Sequence, residues 1–440
     1  MIYRRIFIIS LLIIIYYCSV TTQECKVDIT NYNLQVTLDF LQNQLNVTAI
    51  LELQKSDVLN EFELLLNSNV KIKSIKSKIK DNWVDISYKL KEDDIIHLII
   101  PSPLIGHNEF TLMFKYTFPI EDTIADFFYM DRGNRWYPLI IDDVAGVKIS
   151  AIVPSQYKMF SGGDLIDIIK KNDISTYRWE TQNPVFKIPF VLINPEKYFF
   201  LSMTCDDKEI DFYFLEDNQN KNRMIVQEAC KTFQYFQSKI GEYYHNRLTI
   251  IEMNQYRGYS FIATGLILVA SDVMTQFRKE HYNGLHLPIA AQWFGAGVFG
   301  KFHDKGFWFF SLSLPHYLRL MYIKESKNTN AFVKQLGKPY HDYKEIAGTG
   351  NDVPIIDIER IDTREKGLVI YGKGPFLLDL LKREMGEKNW ENFIRELYLN
   401  YVGKILTYDA FKNNLAKYDK NGSLILKFDR MMNDKGLIEN

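Results

Sequence analysis

The side chains able to do hydrolytic or metal chemistry are few in this sequence, and their spacing narrows what they can do. There are eight histidines in 440 residues. His281 and His286 lie five apart, so a helix would turn them to different faces and one metal ion could not take both. His303 adjoins Asp304 in an expected loop, and His316 stands alone in an apolar helical stretch. Each reads as an ordinary surface or packed histidine. No G-x-S-x-G nucleophile turn is present, and no glycine-rich phosphate loop follows a strand. Ser161-Gly162-Gly163 reads as a turn between strands. Leu287 to Gly295 (LPIAAQWFG) reads as an apolar helix start with proline in its first turn, as in a buried core helix. Tyr371-Gly372-Lys373-Gly374 places a tyrosine before two turn-shaping glycines.

The elements that must carry these residues change character along the chain. From Cys25 to about Cys205 the pattern is β. Tyr32 to Phe40 alternates, with Leu34, Val36, Leu38 and Phe40 on one face, and Asn46 to Leu53 alternates again. Short apolar runs follow at 95–100, 110–116, 147–153, 177–179 and 199–203. Turn residues at Asp81-Asn82, Ser161-Gly162-Gly163 and Asn183-Pro184 separate them. This spacing predicts an N-terminal antiparallel β-sandwich over 23–205. After a further strand at 210–215 the period changes. Val226, Ala229, Phe233, Phe236 and Ile240 form a helical stripe, strands follow at 248–252 and 265–270, and from Leu287 nearly everything is helical. The stripe Leu377, Leu378, Leu381 and Met385 ends at Gly386. Phe393, Leu397 and Tyr401 form another, and Leu424 to Met432 a third. Lys338 to Asp362 reads as a loop carrying Gly348, Gly350 and Pro354. The region 206–440 is thus expected to be a mostly helical α+β domain.

Composition bounds the function classes. Hydrophobic residues make up 47% and charged residues 24%, as in folded globular chains. With 53 basic against 54 acidic residues, no positive excess is available to hold a phosphate backbone, so nucleic-acid binding is not expected. Residues 1–22 are a separate object. Arg4 and Arg5 precede an apolar run from Ile6 to Tyr17 and a small, polar exit, the pattern of a secretory signal peptide. The protein is therefore expected to be secreted or exported, and to meet a membrane only if this segment is kept as an anchor. An exported chain can hold a disulfide. Cys25 with Cys205 is the expected pair, since both flank the first domain, with Cys230 a buried thiol on a helix face. Asn46-Val47-Thr48 and Asn421-Gly422-Ser423 fit the glycosylation pattern.

The order of motifs resembles the M1 family of zinc aminopeptidases, of the gluzincin group. It runs Trp136-Tyr137-Pro138, 153–165 (VPSQYKMFSGGDL), 177–180 (YRWE), 248–252 (LTIIE), 265–271 (GLILVAS), Gln292 to Gly295 (QWFG) and 370–390. The resemblance covers about residues 30–440 and implies a β-sandwich followed by a thermolysin-like domain. It also implies a zinc site built on HExxH, where two histidines one helical turn apart bind zinc and the glutamate acts as general base. At the matching positions stand Leu287, Pro288 and Ala291. The third zinc ligand, a glutamate of the next helix, is matched by Ser311, or by Phe310 in an alignment shifted by one. Ile262, within Gly258 to Ala263, stands near the glutamate that holds a substrate's free amine in the family. Tyr371 matches the tyrosine that stabilises the oxyanion.

Leucine and alanine offer zinc no lone pair, and proline cannot act as a base. Zinc is expected for the family, yet no cofactor is expected here. The resemblance therefore implies a secreted, non-catalytic homologue that binds a peptide or protein in the cleft between the two domains. One alternative is a metallo-aminopeptidase or other hydrolase with relocated ligands. Another is a structural module whose cleft is filled by Trp308, Phe310 and Phe261.

Overall fold

The computed structural model describes residues 27–56, 58–120, 126–255, 260–279, 283–302 and 304–437. The apolar N-terminal segment, Cys25, Gly258, Tyr259, His281 and His303 lie outside the described residues.

The alternating stretches near the N-terminus form the strands they predict. In β1 (Val27–Asp39), Leu34, Val36 and Leu38 are buried while Asn33, Gln35 and Thr37 face outward. Seven more strands complete its sheet: β2 (Gln44–Lys55), β3 (Lys71–Ile79), β4 (Asn82–Asp85), β5 (Glu109–Pro119), β6 (Gly146–Pro154), β7 (Asp164–Lys171) and β8 (Ile174–Glu180). Their order is β7-β8-β6-β1-β2-β5-β3-β4. Two three-stranded sheets pack on the same core, one containing Phe190–Ile193 and the other Ile95–Ile99. The expectation of a wholly antiparallel sandwich needs one correction. β1 and β6 run parallel, with Asn31 opposite Gly146 and Thr37 opposite Ile152.

A second sheet holds β9 (Phe199–Cys205), β10 (Lys208–Phe214), β11 (Arg247–Met253), β12 (Ser260–Ala263) and β13 (Leu266–Ala270), in the order β9-β10-β11-β13-β12. β9 and β10 form an antiparallel hairpin, so the division expected at 205/206 falls at the turn between two strands of one sheet. β10 and β11 are parallel and joined through α1 (Gln219–Lys239), the crossover that parallel strands need. The expected stripe Val226, Ala229, Phe233 and Phe236 is the buried face of α1.

The remaining helices are α2 (Ser271–Lys279), α3 (His286–Ala290), α4 (Leu314–Ser326), α5 (Thr329–Lys344), α6 (Arg364–Leu368), α7 (Gly374–Met385), α8 (Glu387–Tyr401), α9 (Tyr408–Ala416) and α10 (Ser423–Asn433). The stripe of α7 is buried, and Gly386, at φ +81°, ends it in a backbone conformation that favours glycine. The expected loop at 338–362 begins later than its glycines and prolines suggest, because α5 continues through Pro339 to Lys344. Beyond it, buried Asp352 accepts from the Tyr343 hydroxyl at 3.1 Å and the Gly348 N–H at 2.9 Å, which anchors the turn.

The expected Cys25–Cys205 pairing is overturned. Cys205, at the end of β9, is bonded to Cys230 on α1, with their Cα atoms 5.5 Å apart. Cys230 is therefore not a free thiol. β10 lies between them in sequence, but α1 returns to pack on β9, which brings the two sulfurs together. No helix among the described residues is long and apolar enough to cross a membrane.

Candidate functional site

The segment 286–300 is held by buried hydrogen bonds. α3 is one short turn closed by the Ala291 N–H donating to the Leu287 carbonyl at 2.9 Å, so Leu287 and Ala291 share a face. Pro288 is buried on the same turn and Leu287 is partly exposed. His286 points elsewhere. Its Nε2 lies 2.9 Å from Glu228 Oε1 on α1, and the Tyr322 hydroxyl donates to the same oxygen at 3.2 Å. Burial pulls the His286 pKa down, against the opposing pull of Glu228. It is a packed core histidine.

Gln292 is fully buried and fully used. Its Oε1 accepts from the Tyr243 hydroxyl and the Gly265 N–H, and its Nε2 donates to the Ala263 carbonyl, each at 3.0 Å. One side chain thus pins the β12–β13 turn to the segment after α3. Trp293 donates its indole N–H to the Gly241 carbonyl at 2.9 Å and packs on Phe233 and Tyr243. The QWFG stretch therefore has an architectural reason to exist without zinc. Gly295 takes φ +117°, and a Cβ there would stand 3.2 Å from the Ser311 carbonyl and 3.6 Å from the Ala291 Cβ. Both the backbone angle and the space against the Ser311 carbonyl favour glycine there.

Two widened helical turns complete the site. Phe309–Ser313 precedes α4 and Val369–Lys373 precedes α7, and each is π-helical. Proline explains both. Pro315 and Pro375 lack the N–H that would bond Ser311 and Tyr371 four residues back, and their rings crowd those carbonyls. The Ser313 hydroxyl donates to the Ile370 carbonyl at 2.6 Å and binds the two turns together. The His316 ring then meets the Tyr371 ring edge-on at 5.4 Å. Both His316 nitrogens are shielded from solvent without a hydrogen-bond partner, and burial holds its pKa at about 3. The imidazole is neutral at ordinary pH. Burial also pushes the Tyr371 phenol up.

Of the predicted positions, Ala291, Ser311 and Tyr371 are brought onto adjoining segments. Phe310 is buried among Phe309 and Phe411. Ile262 lies on β12, the edge strand, partly exposed, and next to Ala263, which Gln292 holds. One residue near it escaped the sequence reading. Lys187 donates from Nζ to the Ile262 carbonyl at 3.0 Å and lies 4.7 Å from the Phe261 ring centroid. Its only signal in the sequence is a single charge inside an apolar run, 185–193 (VFKIPFVLI).

The overall arrangement superposes on solved structures. An M1 zinc metallopeptidase from Deinococcus radiodurans matches with TM-score 0.73 at 12% identity, over 94% of this chain and 95% of that one. A two-domain M1 zinc metallopeptidase mutant bound to L-tryptophan matches with TM-score 0.74, also at 12% identity, over 94% and 96%. The chain has the two-domain M1 metallopeptidase fold. A further match, TM-score 0.72 at 12% identity over 94% and 96%, is the Deinococcus radiodurans mutant with a Tyr-Ser-Ala substrate bound. The sequence itself matches no protein-family model and no curated protein.

The M1 fold implies zinc, and the residues present do not fit it. A structural or catalytic zinc needs three or four N, S or O donors converging on one point. Leu287 and Ala291 supply hydrocarbon, Pro288 is neither acid nor base, and Ser311 is a lone hydroxyl. Among the described residues no three His, Cys, Asp or Glu side chains are grouped to hold a metal ion. Two cavities, of about 280 and 380 Å³, lie among α1, α4, α5, α7 and α8, and neither is lined by Leu287, Ala291, Ser311 or Tyr371.

Proposed function

We propose that this chain is an exported, non-catalytic homologue of the M1 peptidases that binds a peptide or protein segment between its β-rich and helical parts. What supports the reading is the α3 turn, which carries Leu287, Pro288 and Ala291 where the resemblance would put two zinc ligands and a general base. A fold depends on a whole core, whereas hydrolysis depends on a handful of side chains, so the first outlasts the loss of the second. Tyr371 keeps a phenol beside the old centre, available as a hydrogen-bond donor. Export rests on the pattern of residues 1–22, and a peptide ligand on the partial exposure of Ile262, Leu287, Ser311 and Tyr371.

Metal analysis of the purified protein, with an aminopeptidase assay on aminoacyl-p-nitroanilides, tests this. The expected result is less than stoichiometric zinc after dialysis against zinc-containing buffer, and no chelator-sensitive turnover. One tightly held zinc per chain together with chelator-sensitive hydrolysis would overturn the reading in favour of relocated ligands. A second reading, a structural module, is favoured by Phe261 and Phe310, both nearly fully buried. It predicts that no peptide binds.

A further inference from the structure

β12 is the last strand of its sheet, so one side of its backbone has no strand partner. An extended peptide can add to such an edge, with main-chain hydrogen bonds supplying affinity and flanking side chains supplying selectivity. The side chain stationed at this edge is Lys187. Its ammonium has three donors, of which the Ile262 carbonyl takes one. The Phe261 ring lies beside the ammonium and is itself packed on Tyr129 at 4.8 Å. Among the described residues no carboxylate lies within ion-pair distance of Lys187.

The nearest charges do not neutralise it. Asp131 exerts a pull from farther off, but its carboxylate caps the turn 132–134, accepting from the Gly133 N–H at 2.7 Å and from the Tyr129 hydroxyl. Arg132 adds a second positive charge, and its guanidinium is spent on backbone carbonyls, including Phe186 at 2.9 Å. Arg132 also faces Asp142 and Asp143, so Lys187 is the cation at the edge of β12 left without a carboxylate of its own. Desolvation already lowers the Lys187 pKa, the mark of a cation short of counter-charge.

We propose that Lys187 receives the carboxylate of a peptide laid along β12. This rests on the peptide-binding reading above and gives it a polarity. A site that holds a free amine needs an anion, and here Ile262 on the edge strand is joined by the Lys187 ammonium, a cation. The carboxylate comes either from a peptide C-terminus or from an aspartate or glutamate side chain, and both meet the same ammonium.

Calorimetric titration with defined tripeptides separates these outcomes. The probes are Ala-Phe-Ala as free acid, its C-terminal amide, its N-acetylated acid, and acetyl-Ala-Glu-Ala-amide. The free and N-acetylated acids are expected to bind alike, and the Ala-Phe-Ala amide at least tenfold more weakly. Binding of acetyl-Ala-Glu-Ala-amide at the strength of the acids would assign side-chain carboxylates as ligands too. Lys187→Met should erase the difference between acid and amide, while Lys187→Arg should keep it, with circular dichroism reporting the fold of both. Equal binding of acid and amide by the unaltered chain overturns this proposal and leaves peptide binding intact, as does a loss on N-acetylation alone. An acid preference retained by a folded Lys187→Met also overturns it. Failure of every probe to bind overturns the peptide-binding reading itself.

Discussion

Gln292 is the residue on which most of the site's geometry depends. In sequence it looked like part of a motif inside an apolar stretch, and nothing nearby indicated that Tyr243, Gly265 and Ala263 were its partners. Those contacts come from three separate segments and are set by packing alone. Gln292→Leu would leave a buried hydroxyl, N–H and carbonyl unmatched at roughly 1–3 kcal/mol each. We expect a loss of about 3–5 kcal/mol, read as a lowered urea midpoint, with a larger effect than truncation of any exposed polar residue. Asp143 supplies a different signal. It is buried and accepts from the Ile29 N–H at 2.7 Å, and burial raises its pKa to about 8. The unfolded chain releases this proton near pH 4, whereas the folded chain keeps it to about 8. Its contribution is thus fully present below pH 4 and is lost as pH rises through 8. Asp143→Asn should flatten the fall in melting temperature between pH 5 and pH 9, and an unchanged slope would remove Asp143 as its source. That Leu287, Pro288 and Ala291 offer neither a metal ligand nor a base is legible directly, because it follows from residue type. Lys187 was not, since a lone lysine in an apolar run has no spacing pattern to read.

At the scale of elements, period-two alternation revealed β1 and β2, and period-3.6 stripes revealed α1, α7, α8 and α10, because each buries one face against a large core. Short strands such as Phe190–Ile193, buried along their whole length, have no alternation and went unread. The widened turns at 309–313 and 369–373 were also invisible, although Pro315 and Pro375 mark them in hindsight. The pairing of cysteines failed for a plain reason. Spacing along the chain says nothing of which sulfurs a hairpin and a helix bring together. The bond between Cys205 and Cys230 closes a loop of 25 residues, and both ends are buried. Loop-closure entropy gives such a crosslink a contribution of about 3–4 kcal/mol. The double variant Cys205→Ser, Cys230→Ser should melt lower than the parent and be insensitive to reductant. The parent in dithiothreitol should fall to the same melting temperature.

For the whole molecule, fold class was readable from the switch of period near residue 205, and the order of strands was not. Parallel contact between β1 and β6 shows why. Asn31 meets Gly146, and nothing in either segment announces the other. β1 is also the strand that joins the two halves of the eight-stranded sheet, with β2 on one side and β6 on the other. The partner on its second side is therefore synthesised long after β1 itself. Local hairpins such as β1–β2 can close within microseconds, whereas a parallel pairing at this separation must first meet a large loop-closure cost. A nascent chain halted before residue 146 would carry β1 with one edge bare. The eight-stranded sheet thus cannot close until residues 146–180 have been made, and in the interval before that β1 offers an unpaired edge to any other strand.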